Sequence, residues 1–143
     1  MVALVVREYD EAIRHYTKVL DFELIEDTEL TASKRWVVVR PRGTSGPNLL
    51  LARASTDDQL SRIGNQTGGR VFLFLETDDF ERDYGSMREN GVHFLEEPRS
   101  EDYGTVVQFE DLYGNRFDLI ERARYNGRAS TKSEGAHDVD SRE

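Results

Sequence analysis

Few side chains in this sequence are placed to do chemistry, and most of those are carboxylates and arginines. Asp118 interrupts the apolar run of Arg116–Glu121, which reads as a strand. A carboxylate buried there needs a partner, because an isolated buried charge is costly. Arg70, just ahead of the apolar run Val71–Leu75, is the natural candidate, and an Arg70–Asp118 ion pair is expected. Side chains alternate along a strand, so Arg70, Phe72, Phe74 and Glu76 are expected to share a face. On that face Glu76 either joins Asp118 as an acid–base pair or ends its strand in solvent. Arg70, Phe72 and Phe74 would line a ligand pocket. Trp36, the single tryptophan, sits on the expected strand Arg35–Arg40 as either core or ligand contact. Tyr103 and Gln108 border the loop Pro98–Gly104 and are further ligand-contact candidates, as is Gln66 in the glycine-rich linker. Other chemistries are poorly provided for. The chain has no cysteine, which excludes disulfides, cysteine-ligated metals and a thiol nucleophile. His15 and His93 lack the neighbours of a nucleophilic triad. Gly64, Gly68 and Gly69 are followed by no Lys-Ser/Thr, so they do not form a phosphate loop.

The elements that must carry these residues can be read from periodicity. Val2–Val6 reads as a buried strand. Asp10 can cap a helix over Glu11–Leu20, in which Ala12, Ile13, Tyr16, Val19 and Leu20 recur at helical spacing. Strands are expected at Phe22–Glu26, Arg35–Arg40 and Asn48–Ala52, with a Gly/Ser/Pro turn over Pro41–Pro47. A long connection follows, with one helical turn around Asp57–Ile63. The order then recurs: strand Val71–Leu75, helix Phe80–Glu89 stopped by Asn90-Gly91, and strands at Val92–Glu96, Thr105–Phe109 and Arg116–Glu121. The result is βαβββ twice, an α+β chain in which Val2 maps to Val71 and Leu49 to Asp118 at a shift of 69 residues. Module one spans 1–53, the linker 54–69 and module two 70–122. Residues 123–143 hold too few apolar side chains to offset their ordering entropy and are expected to be a disordered tail.

Composition narrows the partners. With 143 residues the chain can bury about two-thirds of its unfolded surface and needs no staples. No apolar run spans a bilayer and no signal-peptide pattern opens the chain, so a cytoplasmic protein without a membrane partner is expected. The net charge of −9 argues against a nucleic-acid partner.

Val2-Ala-Leu-Val-Val-Arg-Glu-Tyr-Asp-Glu-Ala-Ile-Arg-His-Tyr and Glu110-Asp-Leu-Tyr-Gly-Asn-Arg-Phe-Asp-Leu-Ile-Glu resemble segments of the vicinal oxygen chelate superfamily, which includes glyoxalase I, bleomycin-resistance proteins and extradiol dioxygenases. Leu112 stands where that closing motif often has proline. The resemblance covers residues 1–122. It implies tandem βαβββ modules whose sheets curl around a shared cleft, often completed in a homodimer. It also implies a divalent metal held by His or Glu on the first and last strands of each module. The equivalent positions here are Met1, Leu49 or Leu51, Arg70 and Asp118, and only Asp118 is a good ligand. The favoured expectation is therefore a binder of a small organic ligand without an obligatory metal, as in antibiotic-binding members. The alternatives are a metal-dependent lyase, isomerase or dioxygenase using Glu76 and Asp118, and a non-catalytic dimeric interaction module.

Overall fold

The computed structural model describes residues 1–43 and 46–123; the tail expected at the C-terminus lies, from residue 124 onward, outside the described residues. Two open mixed sheets follow one another along the chain. The first contains β1 (Val2–Val6), β2 (Phe22–Glu29), β3 (Arg35–Pro41) and β4 (Leu49–Arg53), in the order β1-β4-β3-β2. The second contains β5 (Val71–Glu76), β6 (His93–Phe94), β7 (Arg99–Glu101), β8 (Gly104–Glu110) and β9 (Arg116–Arg122), in the order β5-β9-β8-β6, with β7 also paired to β8. In each sheet the first and last strands pair in parallel. The helices are α1 (Tyr9–Arg14), α2 (Asp57–Ser61) and α3 (Phe80–Glu89). The α+β, twice-repeated order expected from the sequence is the observed one, with β7 added inside the segment expected to be a loop.

Local chemistry explains the boundaries. Asp79 caps α3 by accepting from the Arg82 N–H at 3.1 Å, and Gly91, at φ 86°, turns the chain away after the helix. Asp10 does not cap α1. Glu8 holds the N-cap position without a side-chain bond, and Asp10 lies in the first turn, where it pairs with Arg35 at 2.9 Å. The expected single helix to Leu20 becomes α1 followed by a π-helical turn over His15–Val19. The expected strand Val92–Glu96 shrinks to His93–Phe94, because Glu96 turns its carboxylate to the Gln108 N–H, at 2.9 Å, and to Arg99.

The core is continuous between the two halves. Tyr16, Phe22, Phe109 and Phe117 are fully buried. Phe109 stacks on Phe117 at 5.1 Å, and the Tyr16 ring lies 6.3 Å from Phe117. Burying each such side chain contributes roughly 1.5–3 kcal/mol. Leu4, Val6, Val37, Val39, Leu49 and Leu51 enter this core from the first sheet, and Val107, Phe109, Phe117 and Leu119 from the second.

The pairing register corrects two expectations. Val2 pairs with Leu49, but Val71 pairs with Arg116 rather than with Asp118, so one 69-residue shift does not relate both strands of the repeat. A bulge between Val71 and Leu73 also breaks the alternation along β5. Phe72 therefore packs into the core, edge-on to Phe117 at 5.9 Å, instead of sharing a face with Phe74 and Glu76.

Candidate ligand-binding site

A pocket of about 360 Å³ opens where the first half of the chain meets the edge of the second sheet. Its construction begins at the π-helical turn, which Leu20 closes by donating its N–H to the His15 carbonyl at 3.1 Å. Asp21 follows in the left-handed region, at φ 60°, a conformation that Asp tolerates better than most non-glycine residues. This reversal buries Leu20 and Phe22 in the floor and leaves Asp21 on the rim. Pro41 and Pro47 bring the end of β3 and the following loop alongside, and Arg42 pairs with Asp21 at 3.1 Å. The opposite half contributes Asp83, Ser86 and Met87 of α3 and its C-cap Asn90, one stripe at i, i+3, i+4 and i+7. Phe74, Leu75 and Glu76 of β5, with Leu119 of β9, complete the lining.

The floor is apolar and the rim is acidic. Three carboxylates, Asp21, Glu76 and Asp83, face one lining arginine, Arg42. Glu76 reaches Arg122 at 3.4 Å. Asp83 accepts from the Thr77 hydroxyl at 2.5 Å and from Arg82 at 3.0 Å. Burial alone would raise the Asp83 pKa, but these two hydrogen bonds outweigh it and the net direction is down, so Asp83 is ionised at neutral pH. A second depression, around Tyr9, is lined mainly by charged groups that satisfy one another: Arg35 with Asp10, and Arg53 with Glu8 at 3.7 Å. It lacks the apolar floor that small-molecule sites need.

The residues singled out from the sequence divide. Phe74 and Glu76 line the pocket. Asp118 is fully buried on β9, paired in register with Phe74 on one side and Gln108 on the other, so these three form a row across the second sheet. Gln108 is half-buried, and its N–H is taken by Glu96. Tyr103 is buried against Val106 and Ile120, in a cluster away from the pocket. Trp36 is half-buried in the first sheet, opposite Thr28. Arg70 is exposed and makes no ion pair with Asp118 or any other described residue; its carbonyl accepts from Thr67. The expected Arg70–Asp118 pair is thus absent, because the β5 bulge follows Arg70 directly and leaves it in solvent. The α3 stripe and the Leu20-Asp21-Phe22 reversal went unread. Their only sequence signal was the polar–apolar mixture at helical spacing in Asp83, Ser86, Met87 and Asn90.

One hub fixes the two halves around the pocket. Asp111 is buried and accepts at Oδ1 from the N–H groups of Tyr113, Gly114 and Asn115, at 2.9, 3.0 and 2.9 Å. Its Oδ2 accepts from the Tyr16 hydroxyl at 2.5 Å and from Asn115 Nδ2 at 3.0 Å. Burial, and then the Asp111 charge, push the Tyr16 pKa well up, so the phenol stays a donor. From the linker, Gln66 donates its N–H to Asn115 Oδ1 at 3.2 Å. The Gln66 side chain then spans Val5 and Ala3 on β1.

The residues at the resembled metal positions do not fit a divalent ion. Leu49 and Leu51 are fully buried in the core, on the opposite face of their sheet from the one Asp118 occupies in its own. Met1 and Arg70 are exposed, and neither is a ligand for a hard cation. Among the described residues no group of three or more His, Cys, Asp or Glu could hold a metal. No described helix is long and apolar enough to cross a membrane.

Comparison with known proteins places this geometry. An uncharacterized protein of Shewanella frigidimarina (strain NCIMB 400) is 59% identical over 121 residues, covering 84% of this chain and 90% of that protein. The crystal structure of UcmS2 superposes with a TM-score of 0.72 at 26% identity, covering 84% of this chain and 94% of that one. The crystal structure of TnmS3, an antibiotic binding protein from Streptomyces sp. CB03234, does so at 0.62 and 25%, covering 85% and 93%. The family profile described as Glyoxalase/Bleomycin resistance protein/Dioxygenase superfamily matches residues 1–119, and the chain belongs to that superfamily.

Proposed function

We propose that this protein binds a small organic molecule in the pocket between β5, α3 and the Leu20–Phe22 reversal. The carrying observation is the pocket itself. Its volume of about 360 Å³, its apolar floor and its few convergent polar groups match the make-up of small-molecule sites. The Asp21, Glu76 and Asp83 carboxylates each meet an arginine but keep acceptor capacity on the rim, which favours a ligand with an apolar body and a hydrogen-bond-donating or cationic group, in keeping with the net charge of −9. The likeness to an antibiotic binding protein supports ligand capture. Asp118 and Gln108 would then hold the sheet behind Phe74 rather than carry out a reaction. A cytoplasmic homodimer of two-module chains accompanies this reading.

Native mass spectrometry tests it. Protein purified without added metal, incubated with a panel of hydrophobic amines, is expected to show one organic adduct per chain and no bound ion, and the mass also reports the oligomer. Stoichiometric uptake of nickel, zinc, manganese or iron, with no organic adduct, would overturn the reading in favour of a metal enzyme.

A further inference from the structure

The pocket touches Phe74, Leu75 and Glu76 in succession. Side chains on a strand alternate between faces, so a cavity that meets three consecutive residues views the strand edge-on. β5 is terminal in its sheet and, among the described residues, pairs only with β9. The Thr77 N–H donates to the Ile120 carbonyl at 2.9 Å, which sets the backbone direction: the N–H and C=O groups of Leu73 and Leu75 point toward β9. Those of Phe74 and Glu76 therefore point outward, along the pocket, and neither residue's backbone groups bond to any described residue. Unpaired N–H and C=O groups at a strand edge template the pairing of another extended segment. Pro41 at the end of β3 and Pro47, both on the pocket wall, have no N–H to offer this edge.

We infer that the pocket takes a peptide-like ligand, bound extended so that its amides pair with the outward N–H and C=O groups of Phe74 and Glu76. This inference rests on the small-molecule reading above and names its chemical class. The two edge residues are spaced about 7 Å along the strand, so the ligand needs two amide groups at that separation. An apolar side chain would lie over Phe22 and Met87, and a cationic one would reach the Asp21 and Asp83 carboxylates. A second copy of the chain fits less well, because a volume of about 360 Å³ admits a few residues and not a whole strand with its sheet.

The test uses acetyl-Leu-Leu-Lys amide and the same peptide methylated on its middle backbone nitrogen, titrated into the full chain and followed by amide NMR shifts. The parent peptide is expected to bind with its largest shifts at Phe74 and Glu76, and the methylated peptide at least tenfold more weakly. On the protein side, Glu76→Pro deletes one outward N–H and is tolerated at a strand edge, whereas Glu76→Ala keeps it. Glu76→Pro should weaken the parent peptide at least tenfold relative to Glu76→Ala. Equal affinity of both peptides in the pocket would overturn the edge pairing and leave the small-molecule reading intact. So would binding of hydrophobic amines there when neither peptide binds. Failure of peptides and amines alike would overturn both. Loss of self-association in Glu76→Pro, with no peptide binding to the parent chain, would assign the edge to a second copy instead.

Discussion

Replacing Tyr16 with Phe should loosen the protein by an amount that the Asp111 hub sets. The ring keeps its packing against Phe22 and Phe117, at 5.3 and 6.3 Å, so no cavity opens. What is lost is one buried O–H donor to an ionised carboxylate, the 2.5 Å contact to Asp111 Oδ2. Hydrogen bonds to charged groups contribute about 1.5–3 kcal/mol. Oδ2 retains Asn115 Nδ2 at 3.0 Å and Oδ1 its three backbone donors, so the carboxylate is weakened rather than abandoned. The expected cost is about 2 kcal/mol, or roughly 6–8 °C in Tm for a domain of this size. Urea denaturation reads it as a lower midpoint at unchanged slope. A loss below about 0.5 kcal/mol, the scale of an ordinary surface change, would refute the claim that this contact clips the two halves together.

Other outcomes follow from the same structure. His15 is half-buried, its buried Nε2 lacks a hydrogen-bond partner among the described residues, and burial lowers its pKa against the opposing pull of Asp111. Its folded-state pKa lies below the ordinary 6.5, so the unfolded chain takes up the proton first; its contribution is intact above pH 6.5 and is lost as pH falls below it. Urea midpoints measured between pH 7.5 and 5.5 should therefore fall more for the wild type than for His15→Gln. Gly64 sits at φ 77°, where an added Cβ would overlap the Tyr113 carbonyl, so Gly64→Ala should cost on the order of 2–3 kcal/mol by thermal denaturation. Ser86 is an exposed α3 residue on the pocket wall, so Ser86→Trp should fill the pocket while changing stability by less than about 0.5 kcal/mol. Added nickel, zinc or manganese should leave the Tm unchanged, because a bound ion would raise it by mass action.

The fold was legible because its signals are local and repeated. The apolar runs at Val2–Val6 and Val71–Leu75 and the Asn90-Gly91 stop each act over a few residues and read the same in sequence and structure. The candidate site was legible only at Phe74 and Glu76. One bulged residue on β5 reversed the facing of Phe72 and stranded Arg70 in solvent, and no local pattern announces a bulge of that kind. The register difference between the halves misassigned Leu49 as the counterpart of Asp118, since a slip of one residue exchanges the two faces of a strand. The pocket itself depends on how the π-helical turn and Asp21 meet α3, a contact between residues some 60 positions apart that periodicity does not encode. Asp111 carries no sequence signal that its turn also ties the halves together through Tyr16.

Ligand-induced Tm shifts in the wild type and in Ser86→Trp, over a library of small organic amines and short peptides, decide whether ligands enter this pocket. Pocket ligands should raise the wild-type Tm and leave that of Ser86→Trp unmoved, because the indole occupies their place beside Met87 and Asp83. Compounds that stabilise both proteins equally would place the ligand somewhere other than this pocket and overturn its assignment as the binding site.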